Sequence, residues 1–226
     1  MKGYAITVLD SHQSVSSRRV LMASHERVGN EFELATYEAI TPATVHREFD
    51  RHGIQWRYPW DGTRQVHGLN LHAYVTANPA ARMACFMSHY LLWTLAIEGP
   101  ILILEDDAVF LRQFDPGPLL DSPFDIIGIN DPRGATRKSG LFHSRVQDQD
   151  DQVCAVPWVD KPEVPQGLAG ASAYLMTPQG AQSALEAAST YGAWPNDALL
   201  CRQLVDGLGV TKTYYTTIQQ TPSTLA

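Results

Sequence analysis

The sequence predicts an α/β fold in a single domain: a Rossmann-like, mostly parallel central sheet with helices on both faces. Three observations lead there. Short β-like apolar runs alternate with longer helical stretches, the pattern of α/β domains rather than of sandwiches or bundles. The run Ile101-Leu102-Ile103-Leu104 is apolar at every position, as befits a central strand covered on both faces. A length of 226 residues with 44% apolar composition suits one compact domain, or two small lobes sharing a sheet.

In chain order, Tyr4 to Leu9 reads as the first strand, ending at Asp10. Ser11 to Gly29 follows as a helical stretch, with Ser14, Ser16 and Ser17 as capping candidates and Arg18-Arg19 in an early turn. Phe32 to Ala39 is a second strand. From Thr41 to Val75 the pattern weakens into loops with aromatic contacts, interrupted by Pro42, Gly53, Pro59, Gly62 and Gly68. The next helix is the best signalled: Asn78 caps it, Pro79 takes its first position and Gly99-Pro100 stops it. Met83, Phe86, Met87, Tyr90 and Ile97 share one face of it, with Cys85, Ser88, His89 and Leu92 on the other, so the helix is sandwiched. A buried strand at Phe124 to Ile129 precedes a polar, irregular stretch from Asn130 to Pro165 that suits an acceptor-side loop or lid. Ala171 to Met176 reads as a strand, and Thr177-Pro178 opens a helix to about Tyr191. A last helix runs from Asn196-Asp197 to Gly209, before a strand at Thr211 to Thr217.

Composition excludes several classes. The formal net charge of -7 argues against a duplex nucleic-acid partner, and an anionic substrate then needs local basic residues or a metal. Three widely spaced cysteines, Cys85, Cys154 and Cys201, imply no disulfide framework and a reducing, cytoplasmic setting. The amino terminus moves straight into a strand without a signal-peptide pattern. Met83 to Phe110 is broken by His89, Glu98, Gly99, Pro100 and three acids, so no membrane span is expected. No G-x-x-x-x-G-K-[ST], G-x-G-x-x-G or G-x-S-x-G occurs, and the histidines and cysteines lack paired zinc spacing.

What remains is chemistry at Glu105-Asp106-Asp107. Three adjacent carboxylates after a buried strand repel one another, and a divalent cation resolves that conflict. In a strand or tight turn Glu105 and Asp107 point to one side and Asp106 to the other, so the outer pair reaches one ion. Oxygen ligands suit manganese or magnesium, and open α/β sheets take ligands beyond the carboxyl ends of their strands. The plain alternative is a solvated acidic loop or a helix cap.

Met83-Ala84-Cys85-Phe86-Met87-Ser88-His89 with Trp93, followed by Ile101-Leu102-Ile103-Leu104-Glu105-Asp106-Asp107-Ala108, closely resembles family 25 glycosyltransferases, which include lipooligosaccharide and collagen galactosyltransferases. Ile6-Thr7-Val8-Leu9-Asp10 with Arg18-Arg19, Ala171 to Met176 with Gly180-Ala181, and Pro195-Asn196-Asp197 fall in the family's order, so the likeness runs from about residue 4 to 224. The resemblance implies a GT-A fold, a UDP-sugar donor and usually Mn2+, with Mg2+ as the substitute. It puts Glu105 and Asp107 at the metal in a DxD-like motif, Asp106 at the ribose, and Asp10, Arg18 and Arg19 at the edge of the uracil and ribose pocket. Val8 stands where the family commonly has Asn. Many GT-A enzymes recruit a late histidine to the metal; this chain has none after His143, which leaves Gln219, Gln220 or water to complete the shell. The chain is also short for the family, so acceptor-binding additions at its carboxyl end are expected to be lacking.

Ser88 and His89 lie on the helix face turned toward the donor, although a satisfied core histidine is nearly as good a reading. Gly167 and Gly170 suit close backbone approach to the sugar or ordinary turns. Trp56, Tyr58, Trp60 and Trp194 suit sugar stacking or core packing. An inverting transfer needs a general base, and Asp197 at a helix start is the candidate, balanced against simple capping, with Asp160 and Glu163 behind it. The expected activity is transfer of galactose or glucose from a UDP-sugar to a saccharide or glycoconjugate acceptor, as in lipopolysaccharide biosynthesis, with peripheral membrane association compatible. About residues 1–110 form the nucleotide-binding half and about 111–226 the acceptor-binding half. Two other classes stay open: a catalytically weak sugar-nucleotide-binding module, and a metal-dependent phosphohydrolase or nucleotidyltransferase.

Overall fold

A computed structural model describes residues 1–74, 76–134 and 138–220. Val75 at the end of the Thr41–Val75 stretch, 135–137 within Asn130–Pro165, and the ragged end 221–226 lie outside the described residues. The described elements are β1 (Lys2–Thr7), α1 (His12–Arg27), β2 (Glu33–Glu38), α2 (Val45–His52), β3 (Thr63–Val66), β4 (Leu69–His72), α3 (Pro79–Ala96), β5 (Ile101–Glu105) and β6 (Ala108–Phe110). They continue with α4 (Gly117–Leu120), β7 (Ile126–Gly128), α5 (Ser139–Gln147), β8 (Val153–Ala155), β9 (Ala173–Met176), α6 (Pro178–Tyr191), α7 (Asn196–Leu199), β10 (Leu208–Thr211) and β11 (Thr216–Ile218).

Seven strands form one sheet in the order β2-β1-β5-β9-β7-β10-β8. The β1–β2, β1–β5 and β10–β7 pairs are parallel; β9 runs antiparallel between β5 and β7, and β8 antiparallel on the edge. Five strands therefore share one direction, which is the mostly parallel α/β sheet expected. Alternation along β5 shows how both faces are covered. Ile101 and Ile103 join the cluster containing Phe86, Met87 and Trp93 of α3 and Ala181 and Ala184 of α6. Leu102 and Leu104 join the opposite cluster with Leu21 of α1 and Phe110 and Phe114. Each such side chain, fully withdrawn from water, contributes about 1.5–3 kcal/mol.

The helix signals hold where capping chemistry is strong. Asn78 accepts from the Ala81 amide at 3.0 Å with Pro79 at the helix start, and Thr177 accepts from Gly180 at 3.2 Å ahead of Pro178. Each such cap is worth ~1 kcal/mol. Four expectations need correction. The cap of α1 is Ser11, which accepts from Ser14 at 3.2 Å, and not Ser14, Ser16 or Ser17, which lie inside the helix. The Thr41–Val75 stretch is not all loop: it holds α2, closed by Gly53 at φ 64, and the β3–β4 hairpin. That hairpin turns on His67 and Gly68, both at positive φ (50 and 80), where His-Gly replaces the usual Asn-Gly signal. Asn130–Pro165 likewise contains a 3-10 turn at Pro132–Gly134, α5 and β8. The last helix stops at Leu199, because Leu200 leaves helical geometry (ψ 68) and Cys201 bridges to Gly167.

Candidate functional site

The period of two that buries β5 also aims its acids. Ile101 and Ile103 face α3, so Glu105 does too, and its Oε1 lies 3.3 Å from His89 Nε2. Asp106 turns to the α1 side, where its Oδ2 accepts from the Ser14 hydroxyl. The same Ser14 oxygen accepts from the Val8 amide at 2.8 Å, so the end of β1, the start of α1 and the acidic turn are tied at one atom. Asp107 has no such tie. Its Oδ1 is buried without a hydrogen-bond partner among the described residues, while its carbonyl accepts from the Gln219 amide at 2.8 Å. Burial first, then the neighbouring Glu105 and Asp106 charges, push its carboxyl up to about 7. Burial raises Asp106 as well, against the Ser14 hydrogen bond.

Two clefts meet at these acids, and a third opens from the second. The first, about 500 Å³, lies beyond the carboxyl ends of β1, β2 and β5 and is walled by Ile6, Val8, Ser17, Ile40, Ser88, His89, the three acids and Gln219. The second, about 280 Å³, shares Cys85, Glu105, Asp107 and Ile218 with the first and adds Arg82, Gly170, Ser172, Asn196 and Asp197. The third, about 620 Å³, shares Arg82 and Asp197 with the second and opens between Tyr58, Asn70, Tyr74, Asp160 and Gln166. Glu105 and Asp107 thus stand at one boundary, Arg82 and Asp197 at the other.

The second cleft is chemically unfinished. Among the described residues, nine buried side-chain polar atoms lack a hydrogen-bond partner, and four of them belong to its lining: Arg82 Nε, Asp107 Oδ1, Ser172 Oγ and Asn196 Oδ1. Each unpaired buried group costs ~1–3 kcal/mol. Their convergence marks a place built for a polar ligand.

Asp197 is held there by its own surroundings. The Tyr74 hydroxyl donates to its Oδ2 at 3.4 Å. Burial pushes its carboxyl up and the Glu105 charge adds to that, while the Arg82 guanidinium opposes them. Tyr74 in turn stacks on the Tyr58 ring at 5.5 Å and has Arg82 over its ring at 5.0 Å. Gly167 makes this packing feasible, since a Cβ there would lie 2.0 Å from the Asp197 carbonyl oxygen.

Sequence reading and geometry agree unevenly. Glu105, Asp106, Asp107, Ser88 and His89 all line the first cleft, and Gly170 (φ 84) and Asp197 the second. Asp10, Arg18 and Arg19 line none of the three: Asp10 and Arg19 are exposed, and Arg18 donates to Thr36 Oγ1 at 2.8 Å. The Ser88 hydroxyl is spent on Ala84 O (2.8 Å) and the Ile40 amide (2.9 Å), so it shapes the wall. Gly167 lines the third cleft and also lies hard against the Asp197 backbone. Of Trp56, Tyr58, Trp60 and Trp194, Tyr58 alone lines one of the three clefts; Trp194 is fully buried, and Trp56 and Trp60 stack on each other at 4.8 Å. Gln219 lines the first cleft, its amide nitrogen donating to the Ser17 carbonyl, whereas Gln220 is exposed. Asp160 lines the third cleft, paired with Lys138 at 2.8 Å; Glu163 lines none. Sequence reading passed over Arg82 and Ser172. For Arg82 a signal existed, because Arg82, Cys85 and His89 recur at helical spacing on one side of α3.

Residues 74–117 match the family model of Glycosyltransferase family 25 (LPS biosynthesis protein). No curated protein matches the chain. Similar solved structures include the galactosyltransferase LgtC in complex with donor and acceptor sugar analogs, at TM-score 0.48 and 9% identity over 98% of this chain and 88% of that one. An active-site mutant of LgtC gives TM-score 0.47 and 9% identity over 99% and 88% of the two chains. The apo-form glycosyltransferase GlyE of Streptococcus pneumoniae TIGR4 gives 0.41 and 9% over 96% of this chain and 44% of that one. At these scores the likeness decides nothing about the site, which rests on the chain's own residues. Over the stretch that holds α3, β5 and the acidic turn, the chain is similar to family 25 glycosyltransferases.

Proposed function

We propose that the protein transfers a hexose, galactose or glucose, from a UDP-sugar to a saccharide or glycoconjugate acceptor such as a lipopolysaccharide intermediate, with inversion and with Mn2+ or Mg2+. The observation that carries this reading is the chain of three clefts with the acidic turn at one junction and Asp197 at the other. The first cleft takes the nucleotide, the second the sugar being transferred, the third the acceptor. In the GT-A layout this implies, residues 1–110 supply most of the nucleotide side. Tyr58, Asn70, Tyr74 and Arg82 from the same half nonetheless wall the acceptor cleft, and Gln219 from the other half walls the nucleotide cleft.

The residues fit a hard divalent cation. Asp107 Oδ1 is buried and unpartnered, and its acidity is weakened by two neighbouring carboxylates. That is the environment a cation stabilises. Glu105 and Asp107 would hold it, with water or the Gln219 side-chain oxygen completing the shell; the Gln219 amide nitrogen donates to the Ser17 and Asp106 carbonyls. When bound, the ion neutralises negative charge developing on the departing diphosphate. The rest of the reaction falls to side chains. Asp106, anchored by Ser14, faces the ribose. Ser172 and Asn196 offer their free oxygens to sugar hydroxyls. Asp197 takes the proton from the attacking acceptor hydroxyl, and its buried setting makes it a stronger base than a solvated carboxylate. Tyr74 and Arg82 fix its orientation.

Asp10, Arg18 and Arg19 would act only at the outer rim of the nucleotide. No described helix is long and apolar enough to cross a membrane; cytoplasmic residence with peripheral membrane contact belongs to the same proposal. Calorimetric titration of UDP-galactose and UDP-glucose with Mn2+, then after chelation, tests the reading. Affinity is expected to fall at least tenfold without the ion, and unchanged affinity overturns the metal assignment.

A further inference from the structure

His89 lies in a line of four side chains that runs from the core to the acidic turn. Trp93, one turn further along α3, donates its indole N–H to the Tyr174 oxygen at 2.9 Å. Tyr174, on β9 opposite Ile103, lies 2.8 Å from His89 Nδ1, and His89 Nε2 lies 3.3 Å from Glu105 Oε1. Trp93 and Tyr174 are wholly buried and His89 is 1% exposed, while Glu105 at the end of the line opens on the cleft.

Donor and acceptor rules fix the direction. An indole nitrogen donates only, so the Tyr174 oxygen is the acceptor of that bond. The tyrosine's own proton then needs a lone pair, and the neighbour the structure offers is His89 Nδ1. A neutral imidazole that accepts at Nδ1 carries its hydrogen on Nε2, which leaves Nε2–H donating to the Glu105 carboxylate. The rings of His89 and Tyr174 are nearly parallel (9°), so the imidazole is held by packing as well.

We propose that Trp93, Tyr174 and His89 form a one-way hydrogen-bond relay that aims the Glu105 carboxylate at the cation, making Tyr174 a positioning residue for the metal site. This rests on the reading of Glu105 as a metal ligand. It also separates two arrangements that geometry alone leaves together. Cys85, His89 and Glu105 present ligand atoms within 4.8 Å of one another, a set that suits a softer ion. With its hydrogen on Nε2, His89 has no lone pair to offer there, so the cation is held by the acids and His89 stays outside its shell.

Nitrogen-15 NMR of the metal-free wild type reads the tautomer directly, and Mn2+ titration of wild type and Tyr174→Phe reads its consequence. The expected results are a neutral Nε2–H imidazole in the wild type and Mn2+ binding weakened 10–100-fold in Tyr174→Phe. The turnover of this variant at saturating Mn2+ should stay within about threefold of wild type, a split that general loss of structure would not produce. An Nδ1–H tautomer in the wild type, unchanged Mn2+ affinity in Tyr174→Phe, or Mn2+ affinity lost in Cys85→Ser overturns the relay. If Tyr174→Phe does not fold, the wild-type tautomer decides, together with Trp93→Phe, for which a smaller loss of Mn2+ affinity is expected and none overturns the relay. A wild type that shows Nε2–H yet binds no Mn2+ places the failure in the metal reading itself, and the metal-positioning role falls with it.

Discussion

Replacing Asp107 by Asn should stabilise the metal-free protein while abolishing its response to metal. The carboxyl of Asp107 moves from an ordinary 3.8 to about 7 in the fold, through burial and the charges of Glu105 and Asp106. A raised carboxylate pKa means that the folded state resists ionisation. The penalty is absent below the unfolded value of 3.8, grows between there and about 7, and is complete above it. Three units at ~1.4 kcal/mol each set a ceiling of about 4 kcal/mol, spread over three interacting carboxylates. For one substitution we expect ~1–2 kcal/mol, or roughly 2–8 °C in Tm for a chain of this size. Thermal melts in chelator from pH 5 to 8.5 should show Asp107→Asn above wild type by a margin that widens up to about pH 7 and then levels. Added Mn2+ should raise the wild-type Tm and leave the variant unmoved. A variant less stable than wild type at pH 8 in chelator, with the same pH slope, would falsify the idea that electrostatic frustration is stored in this turn.

Two further outcomes follow from the same site. Asp197→Asn should lower kcat by about 10²–10⁴ while leaving Mn2+ and UDP-sugar affinity within a few-fold, and steady-state kinetics with parallel calorimetry would expose a merely structural role through lost binding. Gly167→Ala places a Cβ 2.0 Å from the Asp197 carbonyl oxygen and 2.9 Å from that of Leu200, so α7 must move. An expected loss of ~1–3 kcal/mol in stability should come with a fall of about 100-fold in kcat, and full activity would show that the position of Asp197 is not decisive.

How much was legible in the sequence depended on whether local chemistry or long-range packing made the decision. The helix from Pro79 and the one from Pro178 announce themselves through Asn78 and Thr177 caps, and β5 through unbroken apolarity; local rules suffice there. The hairpin at His67-Gly68 was hidden, because a histidine at positive φ is held by the fold rather than by turn preference. The length of α7 was equally hidden. Its end is set by the bridge from Cys201 to Gly167, a contact between distant segments. At the site, the acidic turn could be read as a carboxylate cluster after a strand. Arg82, Ser172 and Asn196 matter only because three separate stretches of chain bring their unpaired atoms to one cleft, and no local pattern reports that. Arg18 and Arg19 stood out in the sequence as a paired charge in an early helical turn, and neither is in the lining of the three clefts.

The antiparallel β9 has a consequence for how the molecule comes into being. It lies between β5 and β7 at the middle of the sheet, yet it enters the chain some seventy residues after β5 begins. Until Ala173–Met176 slots in, the early strands present an open flank, and the imidazole of His89 has no phenol to meet. The middle of the sheet is therefore closed by a pairing between segments far apart in the chain, and the His89 contact exists only where that pairing is made.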